Sequence, residues 1–303
     1  MRGALEARFD PRLDAQPGVF SYVHCTNTAR TGYKFLMAPL RIATWNINSV
    51  RLRMPLLRKL TRDHQPDVVC LQEIKVADSS FPHKRIKRLG YEHIAINGQK
   101  GYHGVAILSR LPLDKVSPQG FCDKGDARHL RAVLPNGIEI HNFYVPAGGD
   151  IPDPKVNEKF AHKLQFLDEM ADFFAKMKGK RDAPRIVVGD LNVAPFENDV
   201  WSHKQLLGVV SHTPPETERL ARIVASHDWI DVTRSRVPMS EKIYSWWSYR
   251  NQDWRASDRG RRLDHVWISP ALKGAVKKHE ILKDARDWKR PSDHVPILTE
   301  IEA

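Results

Sequence analysis

Apolar residues in this chain come in many short runs, and the runs outnumber what one sheet comfortably holds. About eleven read as strands: residues 41–46, 67–72, 91–96, 105–110, 130–134, 138–145, 185–190, 242–249, 263–269, 276–282 and 295–301. Several are bounded by turn signals such as Pro135, Asn136 and Gly137. Helical patterns lie between them. Val156, Phe160, Leu164, Leu167, Ala171 and Phe174 recur at steps of three and four, which lines up one amphipathic face. Val50, Met54, Leu57 and Leu60 predict a shorter helix, and Leu220, Ile223 and Val224 suggest a third. Open twisted sheets rarely exceed about ten strands. The expected fold is therefore α/β, with two packed sheets and helices outside. Residues 39–303 contain no internal repeat or low-complexity segment and read as a single domain.

The first 38 residues differ. They show neither strand nor helix periodicity and mix Arg2, Arg8, Arg12 and Arg30 with Glu6, Asp10 and Asp14. A secretory signal needs a continuous apolar core, and organelle transit peptides are poor in acids, so neither reading fits. The segment is expected to be a disordered extension, or to lie upstream of a working start at Met37. No run approaches the ~20 apolar residues of a membrane span. Cys25, Cys70 and Cys122 are odd in number, widely spaced and without a CxxC pair, which favours a reducing compartment over a disulfide framework or cysteine-rich zinc site. Cys70 sits inside an apolar run and reads as core. Forty-eight Lys and Arg against 36 Asp and Glu give a formal charge of +12, which favours a polyanionic partner: nucleic acid or an acidic membrane surface.

Chemistry concentrates at strand ends. Apolar runs lead into Asn46 and Asn48, Gln72 and Glu73, Asp190 and Asn192, and Asp264; Asp293 and His294 precede the last run. Residues two apart on an extended segment face one way, so Asn46 with Asn48 and Asp190 with Asn192 form polar pairs. One such acid or amide is usually a turn former; five together point to one polar pocket. Carboxylate and amide oxygens without paired Cys or clustered His suit hard cations such as Mg²⁺ or Mn²⁺.

These residues carry a family resemblance. Residues 44–49 (TWNINS), 71–75 (LQEIK), 189–192 (GDLN), 262–264 (RLD) and 292–296 (SDHVP) resemble, in order, the motifs of the exonuclease III family of AP endonucleases, within the endonuclease/exonuclease/phosphatase superfamily. Residues 101–110, 141–146 and 244–250 extend the match over essentially 40–303. The resemblance implies a four-layer α/β sandwich of the DNase I-like type, two mixed β-sheets flanked by helices. It implies Mg²⁺-dependent hydrolysis of DNA phosphodiesters, with Mn²⁺ as substitute: incision 5′ to abasic sites, 3′→5′ degradation, and removal of 3′ blocking groups. Glu73 would be the main metal ligand with Asn48 and Asp293; Asn46, Asp190 and Asn192 complete the metal set. Asp190 would activate water, Asn192 hold water or phosphate, and His294, oriented by Asp264, bind the scissile phosphate. Tyr144 would contact the phosphate or support the metal carboxylate.

The partner so implied is double-stranded DNA, abasic or 3′-blocked; with no secretory or membrane signal in the sequence, the expected location is cytoplasmic and DNA-associated, and the expected state a monomer. Between Arg234 and Arg262, eight basic residues face three acids, with Trp246, Trp247 and Trp254 interleaved, a composition suited to phosphates and stacking. Trp246 would line a pocket for a baseless sugar, and Arg250 would probe a groove. Lys75, Arg51 and Tyr102 would contact the backbone, whereas residues 84–88 (KRIKR) read as a solvated helix face. Ala147, Arg261 and His265 depart from the family pattern, and Arg261 falls in the sugar pocket. Residues 148–154 read as a loop near the DNA. Two rivals remain at this point: a lipid or phosphoinositide phosphodiesterase of the same superfamily, and a non-catalytic DNA-binding protein. Deleting residues 1–36 is expected to leave activity intact, and a large loss in the truncated protein's turnover of abasic duplex would refute that.

Overall fold

The computed structural model describes residues 39–302 apart from 178, 180, 181 and 252; the expectations for residues 1–38 and the Met37 start lie outside the described residues. Two six-stranded mixed sheets pack face to face. The first runs β13-β14-β1-β2-β4-β3, from β1 (Leu40–Asn46), β2 (Val68–Gln72), β3 (His93–Asn97), β4 (Val105–Ser109), β13 (Val276–Ile281) and β14 (Ile297–Ile301). The second runs β5-β6-β7-β8-β12-β9, from β5 (Asp114–Ser117), β6 (His129–Val133), β7 (Glu139–Tyr144), β8 (Arg185–Asp190), β9 (Ile230–Asp231) and β12 (Asp264–Ile268). A two-stranded ribbon, β10 (Trp246–Trp247) with β11 (Gly260–Arg261), stands apart.

The period of two sorts each strand into layers. Ile42, Val68, Cys70, Ile140, Ile186, Val188 and Val266 fill the space between the sheets. Their neighbours Ala43, Trp45, Val69 and Leu71 face outward, under Leu57 and Leu60 of α1 (Met54–His64) and Ile86 of α2 (His83–Lys87). Phe143, Val187 and Trp267 face the other way, against α3 (Glu158–Ala175) and α5 (Pro214–His227). The order of layers is helix, sheet, sheet, helix, as expected. Each fully buried aliphatic side chain contributes about 1.5–3 kcal/mol, and Cys70 is one of these core residues. On α2 only Ile86 is buried, so the basic cluster does present a solvated face. None of the described helices is long and apolar enough to cross a membrane.

Several boundaries differ from the sequence reading. The run at 242–249 yields only β10, because its backbone is shared between two partners: Ser245 N donates to Arg261 O, while Trp247 N donates to Asp293 O. Helix α3 starts at Glu158, where the Asn157 side chain accepts from Lys159 N; Val156 precedes the helix and is exposed. Strands β5, β9 and β11 carry too little apolar pattern to be seen in the sequence, and α4 (His203–Leu206) and α6 (Trp254–Ser257) are single turns.

Away from the sheet ends, His279 on β13 bridges Thr233 Oγ1 and Thr299 Oγ1 at 2.9 Å each. Burial pushes its pKa down to about 4. The unfolded chain, near 6.5, then binds the proton first, so stability present above pH 6.5 drains away as pH falls toward 4. Between pH 7 and 5 the native protein should lose about 2 kcal/mol more than its His279→Gln variant; denaturant titrations at the two pH values measure the difference.

Candidate active site

The inner faces turn polar where the strands end. Thr44, Gln72 and Asn142 continue the inward-facing series of β1, β2 and β7, and Gln72 Nε2 donates to Thr44 Oγ1 at 3.0 Å and Asn142 Oδ1 at 2.7 Å. One step further, Asn46, Tyr144, Asp190 and Asp264 occupy the same inward parity. β8 pairs with β12 so that Asp190 lies directly opposite Asp264, and β7 pairs with β8 so that Tyr144 lies beside Asp190. Strand β8 can come this close to β7 because residue 189 is glycine: at its φ of +137° a Cβ would stand 2.0 Å from Phe143 O.

Asn46 ties the two sheets together. Its Nδ2 donates to Asp190 Oδ2 at 2.8 Å and Glu73 Oε1 at 2.9 Å, and its Oδ1 accepts from Asn48 N at 3.1 Å. Asn46 is thus a brace that aims two carboxylates. Asn48, Glu73, Lys75 and Asn192 all have positive φ, between +46° and +53°; each reverses the chain just past a strand so that its side chain points back to the site.

Two buried carboxylates face each other, and His294 lies between them. Its Nδ1 is 2.8 Å from Asp264 Oδ2 and its Nε2 is 3.6 Å from Asp190 Oδ2. Burial disfavours the imidazolium, but Asp264 and Asp190 outweigh it and raise the pKa to about 10. Ser245, which sequence reasoning missed, fixes Asp264: its Oγ donates to Asp264 Oδ2 at 2.6 Å and accepts from Asp264 N. Burial pushes Asp190 up to about 7 against the pull of His294. Asn192 donates through Nδ2 to Asp190 Oδ2 at 3.1 Å, and a buried pair missed in the sequence, Lys163 with Glu216, holds the Asn192 carbonyl through Lys163 Nζ at 2.7 Å. Burial and the nearby Glu73 and Asp190 carboxylates push the Tyr144 phenol well up, so it stays a donor.

A cation already sits among the expected metal ligands. The Lys75 ammonium lies 2.8 Å from Glu73 Oε2 and 2.6 Å from Asn48 Oδ1, and Asn48 Nδ2 donates to Asp293 Oδ1 at 3.1 Å. Burial works against the Glu73 carboxylate, but Lys75 and Asn46 outweigh it and leave its pKa lowered. This donor set fits a hard cation. Asp190, Asp264 and His294 also bring ligand atoms within 4.8 Å of one another, but Asp264 Oδ2 is already engaged by His294 and Ser245. Lys75, expected from the sequence to contact the DNA backbone, is engaged here by Glu73 and Asn48, with its side chain still 29% exposed. Tyr102 is exposed and leads to Tyr144 through His103, with ring centroids 6.1 and 5.9 Å apart. Arg51 is exposed on the loop after Asn48.

The site opens into a cleft of about 850 Å³. Trp246 lines it and donates through Nε1 to Asp293 Oδ2 at 3.0 Å; Arg250 lines it from an exposed position. Trp247 is fully buried core. The basic stretch is not one uniform face. Arg262 is buried and paired with Asp199 and Asp231, Arg234 is paired with Asp199, and Arg255 with Asp284 and Asp287. Among the described residues, Arg250, Arg259 and Arg261 are the arginines that line the cleft.

Comparison with known proteins agrees with this arrangement. The pattern of the Endonuclease/Exonuclease/phosphatase family matches residues 43–294. Exodeoxyribonuclease III of Haemophilus influenzae is 31% identical over 276 residues, covering 87% of this chain and 100% of that protein. Among solved structures, an AP endonuclease from Archaeoglobus fulgidus superposes with a TM-score of 0.80 at 31% identity, covering 87% of this chain and 100% of its own. A Neisseria 3′ phosphatase bound to product DNA hairpin gives a TM-score of 0.79 at 28% identity, with the same two coverages.

Asn46 is the most informative substitution. Asn46→Ala removes a donor from Asp190, so the carboxylate should require a higher pH to ionise. The acid limb of the kcat/KM profile for phosphodiester hydrolysis should move up by about one pH unit, the scale of a charged hydrogen bond. An unmoved limb would show that Asp190 is not the group titrating there.

Proposed function

The chain belongs to the endonuclease/exonuclease/phosphatase family, and from that premise we propose that it is a DNA-repair phosphodiesterase that incises 5′ to abasic sites and clears blocked 3′ ends. The observation that carries this is the Asp190–His294–Asp264 row beside Asn46, Glu73 and Asn192 at the mouth of a cleft with three arginines.

Hydrolysis needs a base for water, positive charge on the phosphoryl oxygens, and help for the leaving oxygen. Asp190 is the base: buried and raised to about 7, it accepts a proton from water more readily than an exposed aspartate would. Asn192 holds that water or a phosphoryl oxygen in line. Imidazolium His294 donates from Nε2 to a phosphoryl oxygen, and Asp264 keeps it charged through Nδ1. Tyr144 offers its phenolic proton to the same phosphate. Glu73, Asn48 and Asp293 would hold Mg²⁺, with Mn²⁺ as substitute, supplying a Lewis acid for charge developing on oxygen. Trp246 gives the cleft an apolar wall that suits a sugar without its base, a shape that favours lesions already unstacked.

A labelled duplex carrying one stable abasic analogue tests this. Wild-type protein in Mg²⁺ should cut just 5′ of the lesion, and EDTA should abolish cutting. Asp190→Asn and Glu73→Ala should each lower the rate by about 10²–10⁴-fold while still binding the duplex. Tight binding without cleavage in any divalent metal would instead favour a DNA-binding role.

A further inference from the structure

Arg261 occupies a defined place relative to the chemistry. Across the ribbon, Trp246 pairs with Arg261 on one side and with His294 on the other. Directly opposed residues of antiparallel strands share a face and stand about 4.5–5.5 Å apart. His294, Trp246 and Arg261 therefore form a row along one wall of the cleft, with Arg261 about 10 Å from the histidine. The guanidinium lies over the Trp246 ring, 5.3 Å from its centroid.

This guanidinium is held but not neutralised. Its Nη1 donates to Val210 O at 2.9 Å and Ser211 Oγ at 2.8 Å, both uncharged acceptors. Its Nε is buried without a hydrogen-bond partner, and among the described residues no carboxylate lies within ion-pair distance of it. The nearby Glu216 is committed to Lys163 and to the Ser211 and Thr213 amides. Arg259 and Arg250 also line the cleft, Arg259 over the Trp201 ring at 4.7 Å from its centroid, as do the carboxylates of Glu73, Asp150, Asp190 and Asp293. A desolvated cation fixed by neutral groups is an anion receptor awaiting its anion.

We propose that Arg261 is a specificity-determining residue that binds an anionic group carried just beyond the scissile phosphate, and that it favours DNA 3′ ends whose blocking fragment is a small carboxylate-bearing phosphodiester, as in a 3′-phosphoglycolate. The inference rests on the phosphodiesterase reading above. Water adds across the P–O3′ bond: its hydroxyl joins phosphorus, O3′ gains the proton, and the products are a 3′-hydroxyl end and free phosphoglycolate. Nothing is oxidised or reduced. The glycolate carboxylate would meet Arg261 while its phosphate sits at His294.

The test uses two nicked duplexes differing at one group: a 3′-phosphoglycolate and its uncharged 3′-phosphoglycolamide isostere. Wild type should prefer the carboxylate by about 10- to 100-fold in kcat/KM, the range of one charge-assisted hydrogen bond. Arg261→Leu should bring the two within about threefold, and Arg261→Lys should keep part of the preference through charge alone. If the Leu variant does not fold, Arg261→Gln serves the same comparison. A wild-type ratio near one, or an unchanged ratio in the variants, overturns the proposal while leaving the phosphodiesterase intact. Failure of wild type to cleave either duplex strikes the phosphodiesterase reading and this inference with it.

Discussion

One amide links the carboxylates of the site across the two sheets. Asn46 ends a central strand of the first sheet, and its Nδ2 reaches both Glu73 in its own sheet and Asp190 in the other. The contact is possible only because both sheets present their inward parity at the same end. The apolar space between them fades through Thr44, Gln72 and Asn142 into carboxylates. Packing of the two sheets thus sets the distance between the group that would activate water and the group that would hold the cation. Sheet register is fixed by side chains buried on both faces, since a one-residue slip would reverse every strand's inward set. The catalytic spacing inherits that rigidity.

Placing Asp190 directly opposite Asp264 in a buried sheet is costly unless charge is returned to it. His294 returns it, and in doing so becomes a cation at neutral pH. The same logic recurs around the site. Arg262 is buried against Asp199 and Asp231, which fixes the segment leading to Leu263 and Asp264. Lys163 is buried with Glu216 beneath Asn192. These pairs add little net stability compared with an apolar core, but removing either partner would leave a charge stranded. They hold catalytic loops in one geometry, as a reaction driven by preorganised electrostatics requires.

The long strands and α3 were legible because their apolar periods are set locally, and the motif residues were legible because five strand ends repeat one chemical theme. Other features were hidden for physical reasons. The β10–β11 ribbon is two residues wide, and its pairing comes from partners distant in the chain. Ser245 carries no pattern that separates it from any surface serine, yet it fixes Asp264. Lys75 reads as an exposed base, and only the reversal at its positive φ turns it onto Glu73. Arg262 counts as basic in composition, but its charge is spent inside the protein. Composition reports how many charges a segment has; only the fold decides which of them are free.

That distinction bears on how such a cleft selects its substrate. The eight bases between Arg234 and Arg262 suggest a broad electrostatic surface, which would bind any DNA alike. Once internal pairs are set aside, Arg250, Arg259 and Arg261 are left lining the cleft together with the carboxylates that serve the chemistry. The row of His294, Trp246 and Arg261 along one wall can distinguish the two sides of a scissile phosphate: the histidine would meet the phosphoryl group, and the arginine what is attached to it. Backbone contacts elsewhere raise affinity for every duplex equally, but a cation that meets the group attached to the phosphoryl can change the ratio between substrates. Discrimination then depends on an arginine that has no carboxylate partner among the described residues, while Arg234, Arg255 and Arg262 are neutralised by the protein's own acids.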